Sequence, residues 1–242
     1  MKKVKVIAHR GFSGKFPENT VLAFREAVKI GSDSIEMDVK STKDGSLVIL
    51  HDETVDRTTN GKGKIIDLTL IEAEGLDAGS WLDPALKRIK IPTLEEALDS
   101  IPSDIELNLH MWPVPETVGK TIKLLKNTGR IDNSYLAVDA NQHQLARKLH
   151  RRIRICNMRY QSDPEEYVEE TRKLKCPILQ FFSPSYKVTK ELVDRAHSYG
   201  IYVNVFFADT EEEMKRLIEI KTDAILTNRP DLLIKLQDNM QP

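Results

Sequence analysis

Short apolar runs rich in β-forming residues alternate with longer segments of helical spacing along nearly the whole chain, a polar break separating each pair. The strands this rhythm predicts cover residues 4–8, 35–39, 104–109, 134–138, 153–157, 177–182, 201–207 and 224–227. Helical spacing occupies 20–30, 93–100, 116–127, 141–151, 164–175, 189–199, 210–220 and 230–238. Strands separated by helices imply a parallel sheet, and eight such units close into a (β/α)8 TIM barrel. Several helix starts have a physical cause. Asn19, Thr93 and Thr210 can each accept a bond from a free first-turn amide, with Glu96 and Glu213 as capping-box partners of the latter two. Gly31 and Gly200 sit just past helix ends, where a left-handed residue is wanted.

One stretch breaks the rhythm. Residues 52–91, after the second barrel strand, are irregular and rich in Gly, Thr and Asp, with a tight turn expected at Asn60-Gly61-Lys62-Gly63. The insertion leaves from a strand end, so it is expected over the C-terminal face of the barrel, as a substrate wall or as packing cover for the rim. Trp81 is expected to anchor it to the body. The chain is otherwise read as a single barrel domain, residues 1–242.

Composition narrows the partners. Charged residues make up 30% of the chain but the net charge is −1, so no global field points to nucleic acid. The basic run Arg147-Lys148 to Arg151-Arg152-Ile153-Arg154 reads as a solvated helix end near its negative pole. The apolar run after the first basic residues is too short for a signal peptide, and no segment approaches the ~20 apolar residues needed to span a bilayer. A cytoplasmic protein without stable membrane insertion is expected; the oligomeric state stays open. Cys156 and Cys176 are expected to be buried free thiols rather than a disulfide framework.

The chemistry gathers between Val4 and His51. The first apolar run delivers His9-Arg10-Gly11 at its end, the second carries Glu36 and Asp38 on one face, and a hairpin-like segment from Ser41 to Leu50 ends at His51-Asp52. In a parallel barrel these strand ends share one face with Glu106 of the third strand. Three carboxylates converging on one pocket repel each other unless a cation lies between them. Hard oxygen ligands suit one divalent ion, Mg²⁺ or Ca²⁺. Two imidazoles beside such a cluster, His9 and His51, can take and give protons near neutral pH. Arg10 offers a planar fork that matches phosphate oxygens; in a purely structural role it would instead pair with Glu18 or Glu36. His143, His150 and His197 fall on helical patterns away from strand ends and are expected to be exposed.

These residues also form a pattern. His9-Arg10-Gly11, Pro17-Glu18-Asn19-Thr20, Glu36-Met37-Asp38 and His51-Asp52, continued by Asp56-Arg57-Thr58-Thr59, Gly79-Ser80-Trp81 and Ile91-Pro92-Thr93-Leu94-Glu95-Glu96, make the chain resemble the glycerophosphodiester phosphodiesterase family. The match is dense over the first hundred residues and reappears at Glu106 and at Leu226 to Pro230. The resemblance implies metal-dependent hydrolysis of glycerophosphodiesters to sn-glycerol 3-phosphate and an alcohol. The attacking group would be the substrate's own glycerol hydroxyl, and water would then open a cyclic phosphate. It also implies that Glu36, Asp38 and Glu106 hold the metal, that His9 and His51 are general acid and base in an order left open, and that Arg10 binds the phosphate.

Three departures stand out. The family's E-x-K on the third strand reads Glu106-Leu107-Asn108 here, with His110 following on the same face as a substitute charge or a reshaped pocket wall. A tryptophan near the seventh strand end is replaced by Phe206-Phe207, which keeps an apolar wall for substrate, and a T-D near the eighth reads Thr227-Asn228. Asn108, His110 and Phe206 are thus expected to touch the phosphodiester substrate. Two rival readings are a phospholipase-type phosphodiesterase acting on lysophospholipids and a catalytically weakened phosphodiester-binding protein.

Overall fold

A computed structural model describes residues 3–159 and 163–240. Among these residues the sheet has nine strands: β1 (Lys5–Ala8), β2 (Ser34–Ser41), β3 (Leu47–Ile49), β4 (Glu106–Met111), β5 (Ser134–Val138), β6 (Arg154–Asn157), β7 (Ile178–Phe182), β8 (Tyr202–Phe206) and β9 (Ala224–Thr227). All but β3 pair in parallel, and β1 bonds both to β2 and to β9, so the sheet closes. This is the (β/α)8 barrel that the alternation predicted. β3 returns antiparallel along the end of β2, pairing Ile49 with Val39, and so carries the chain to His51 at the C-terminal rim.

Helices α1 (Val21–Lys29), α3 (Leu94–Ser100), α4 (Pro115–Asn127), α5 (Ala140–Leu149), α6 (Pro164–Lys173), α7 (Lys190–Ser198), α8 (Glu211–Glu219) and α9 (Pro230–Asn239) surround the barrel, while α2 (Leu70–Glu74) belongs to the insertion. Strand alternation sorts the side chains. Ile35, Met37 and Val39 of β2, with Leu107, Leu109 and Met111 of β4, point outward into an apolar layer completed by Phe24 and Ala27 of α1 and by Leu94 and Leu98 of α3. The intervening residues Glu36, Asp38, Asn108 and His110 are therefore left to the interior.

The capping box expected at Thr93 and Glu96 is formed. At α1 the cap is Thr20, which accepts from the Ala23 amide, and not Asn19. Cys156 and Cys176 are buried free thiols, as expected. The basic run is only partly a solvated helix end. Arg147 donates to the Arg151 and Ile153 carbonyls beyond α5, whereas Arg154 pairs with Glu106.

The insertion carries its own apolar cluster of Val55, Ile65, Ala73, Ala78 and Ile91, shared with Val48 and Leu50 of the hairpin. Backbone bonds from Lys43 to Leu68 (2.7 Å) and from Ile49 to Pro92 (2.9 Å) stitch it to the β2–β3 hairpin. Trp81 is not the anchor expected: it is 38% exposed, and its indole N–H donates to the Ala78 carbonyl three residues earlier. The smaller aliphatic side chains fix the insertion instead.

Candidate active site

The first candidate residues stand where β1 ends. There the backbone turns sharply, with Arg10 and Gly11 both at positive φ (54° and 77°). Gly11 is required on two counts. Its conformation disfavours L side chains, and a Cβ would lie 2.7 Å from the Ala23 carbonyl carbon. The close approach of this turn to α1 sets the Arg10 amide so that it donates to Glu36 Oε2 at 2.8 Å.

The two strand acids are buried together. Asp38 Oδ2 accepts from Asn19 Nδ2 (2.8 Å) and lies 3.4 Å from Arg10 Nε, while Oδ1 lies 3.0 Å from His110 Nδ1. Burial alone would raise the Asp38 carboxyl; the bond and charge of His110 and the charge of Arg10 outweigh it and hold the group far below the usual carboxylate range. Glu36 goes the other way, pushed well up by burial and by the Asp38 charge against a smaller opposing pull from Arg10. Asn19 sits at a left-handed φ of 57°, which asparagine tolerates, and from there grips Asp38 with both ends of its amide. Its expected service as a helix cap is replaced by this one.

Glu106 does not join the two acids. It is the first residue of β4, paired in register with Ser34, and its carboxylate accepts from Lys5 Nζ (2.9 Å) and Arg154 Nη1 (2.6 Å). Lys5 and Arg154 likewise open their strands, so this ion cluster lies at the N-terminal end of the barrel. The expectation of a metal ligand at Glu106 fails because β4 begins at Glu106, opposite Ser34, four residues before the position that meets Asp38. The site level of that strand is therefore His110, in register with Asp38, with Asn108 beside Glu36. Among the described residues, Glu36, Asp38 and His110 form a group that can hold a metal ion, with one ligand atom from each lying within 4.8 Å of the others. A Glu106→Gln variant is expected to keep near-wild-type activity while losing about 1–3 kcal/mol of stability by unpairing Lys5 and Arg154. Urea unfolding measured beside turnover checks both halves.

His9 stands beside the acids, its Nε2 3.9 Å from Glu36 Oε2. Its tautomer follows from a chain of bonds. Asp209 Oδ2 accepts from Asn228 Nδ2 (2.6 Å), which turns the Asn228 carbonyl oxygen toward Ser13 Oγ and toward His9 Nδ1 at 2.7 Å. Nδ1 must then carry the proton, and Nε2 faces the cavity as an acceptor. Burial first, then the Arg10 charge, push the imidazole down to about 4, so it is neutral at pH 7. The Phe206 ring packs on it with centroids 4.6 Å apart. The carboxylate that the T-D comparison found missing at Asn228 is supplied one bond further out, by Asp209.

His51 reaches the same cavity from the hairpin. Its Nδ1 is 2.7 Å from Asp52 Oδ1, Arg57 donates to Asp52 and to Glu18, and Glu18 accepts from Arg10 Nη1 at 2.7 Å. Arg10 thus has both the partner expected of a structural arginine and a place at the site. Its Nε is buried without a hydrogen-bond acceptor among the described residues. So are both polar atoms of the Asn108 amide and Gln180 Oε1.

His9, Arg10, Glu36, Asp38, His51, Asn108, His110 and Gln180 line a cavity of about 90 Å³ at the C-terminal mouth, together with Ala137, Met158, Phe206 and Leu226. Sequence reasoning named Glu18 as a partner of Arg10 and noted Asn228, but missed Asn19, Arg57, Asp209 and Gln180 at the site. Asn19 and Arg57 lie inside the quoted motifs, so a signal existed for them. Among the described residues no helix is long and apolar enough to cross a membrane.

The glycerophosphoryl diester phosphodiesterase family model matches residues 9–232. The chain is 35% identical over 241 residues to a glycerophosphodiester phosphodiesterase of Caldanaerobacter subterraneus subsp. tengcongensis, covering 97% of this chain and 98% of that protein. It is 32% identical to one from Bacillus altitudinis, over 98% and 99% of the two chains. Among solved structures, an Oleispira antarctica phosphodiesterase in complex with the product sn-glycerol-3-phosphate superposes with a TM-score of 0.88 at 29% identity, covering 97% of this chain and 96% of that one.

Proposed function

We propose, from the premise that the chain belongs to the glycerophosphoryl diester phosphodiesterase family and is an enzyme hydrolysing glycerophosphodiesters, that it does so with one divalent cation held by Glu36, Asp38 and His110 and with His9 and His51 moving the protons. The observation that carries the reading is the buried acid pair. Glu36 is driven up by burial and then by the charge of Asp38 beside it, and a cation between the two carboxylates offsets both, so the donor set fits the ion. When bound, such an ion stabilises charge on the phosphoryl oxygens and makes a coordinated hydroxyl more acidic.

Arg10 Nε is a buried donor free to take a phosphoryl oxygen, and the Asn108 amide, with donor and acceptor both unpaired among the described residues, suits a substrate hydroxyl. His9, neutral and with Nε2 facing the cavity, accepts the proton of the attacking glycerol hydroxyl. His51, whose other ring nitrogen rests on Asp52, protonates the departing alcohol. The roles then reverse as water opens the cyclic ester.

The test is alcohol release from glycerophosphocholine before and after chelation, in the wild type and in a His9→Ala His51→Ala variant. Turnover is expected to stop with EDTA and return with a divalent ion, and the variant is expected to be at least ~10²-fold slower. Chelator-insensitive turnover would remove the cation from the reaction, and an active variant would remove the imidazoles.

A further inference from the structure

We propose that His110 sets the metal preference of this site, so that the enzyme selects an imidazole-accepting first-row ion, Zn²⁺ or Fe²⁺, over Mg²⁺ and Ca²⁺. The inference rests on the cation-holding reading above and adds which class of ion is taken.

It starts from what the barrel register supplies. The three groups available to one ion are two carboxylates and one ring nitrogen. The oxygen donor that would have completed an all-carboxylate set, Glu106, is four residues earlier on β4, about 13 Å along the strand, and its charge is used by Lys5 and Arg154. His110 is fixed in its place by register with Asp38, and its Nδ1 stands 3.0 Å from Asp38 Oδ1. A second feature points independently to a ligand here. Asn108, 1% exposed and lining the same cavity beside Glu36, has neither of its amide atoms bonded among the described residues.

The chemistry of the donors decides the preference. Ca²⁺ takes six to eight oxygen ligands, and Mg²⁺ demands a near-octahedral oxygen shell. Both gain little from an imidazole. Zn²⁺ and Fe²⁺ bind ring nitrogen well and accept carboxylates beside it, so replacing one carboxylate by histidine weakens the hard ions and strengthens the borderline ones. The change also lowers the ligand charge by one, which costs most for ions held mainly by charge.

The experiment titrates tag-free enzyme, stripped of metal by chelation, with Zn²⁺ and separately with Ca²⁺ by calorimetry. The wild type is compared with His110→Glu and His110→Ala, and circular dichroism establishes that each variant is folded. Because any carboxylate site favours Zn²⁺ to some degree, the quantity read is the ratio of the two affinities. His110→Glu is expected to narrow the Zn²⁺ to Ca²⁺ ratio by at least ~10-fold, chiefly by tightening Ca²⁺, and His110→Ala to weaken Zn²⁺ by at least ~10-fold. Co²⁺ bound in place of zinc is expected to change its visible spectrum in both variants. An unchanged ratio and spectrum would overturn this proposal while leaving the cation-holding site intact. Failure of every ion to bind the wild type at one equivalent would overturn both.

Discussion

An Asp38→Asn enzyme is expected to lose about 10³-fold in kcat/KM toward glycerophosphodiesters. Asp38 is the charge on which the site converges: Asn19 bonds one of its oxygens, His110 the other, and Arg10 lies beside it. Asparagine keeps the size and one acceptor but removes the charge. It takes a donor from any bound cation and leaves the Arg10 guanidinium short of a counter-charge. The same change relieves Glu36, whose carboxyl is held up in part by the Asp38 charge. Fold stability is therefore expected to fall much less than activity. Steady-state kinetics with a thermal melt separate the two, and a loss of only a few-fold in kcat/KM would contradict the central place given to this carboxylate.

Removing a carboxylate that does not line the cavity is also expected to slow the reaction. Asp209 orients Asn228, and Asn228 orients His9. In Asp209→Ala the Asn228 amide is free to turn over and offer its NH2 to His9, which would place the imidazole proton on the cavity-facing nitrogen and disable it as a base. A fall of roughly 10–100-fold in kcat is expected, the size found for other partners that fix an imidazole from behind, with KM nearly unchanged. A parallel rise in KM would instead signal a distorted pocket. A wild-type kcat would show that His9 does not depend on this chain of bonds.

Much of this was legible in the chain because it depends on local rules. The His9-Arg10-Gly11 turn announces itself through a glycine that nothing larger can replace beside Ala23. Glu36 and Asp38 share a face because a strand alternates. His51 follows an antiparallel return whose pattern is plain in Ser41 to Leu50. The errors share another origin. Asn19 looked like a helix cap because asparagine caps helices, but Thr20 does the same work, and only the packing of the turn against β2 shows that Asn19 belongs to Asp38. Glu106 looked like a metal ligand because an acid in an apolar strand is costly without a partner. The partners exist, as Lys5 and Arg154, on strands 101 and 48 residues away in sequence.

The sequence by itself determined the alternation that closes the barrel, the face on which each strand residue lies, and the motifs that place this chain in its family. Only the tertiary structure decided which rung of β4 meets which rung of β2, and with it that His110 rather than Glu106 stands beside Asp38. It also decided that Asp209, through Asn228, stands behind His9. Alternation is a property of a single strand and is written in adjacent residues. Register between strands is fixed by pairing and closure across the whole sheet, and a displacement of two residues leaves the face unchanged while moving a side chain by about 7 Å along the strand.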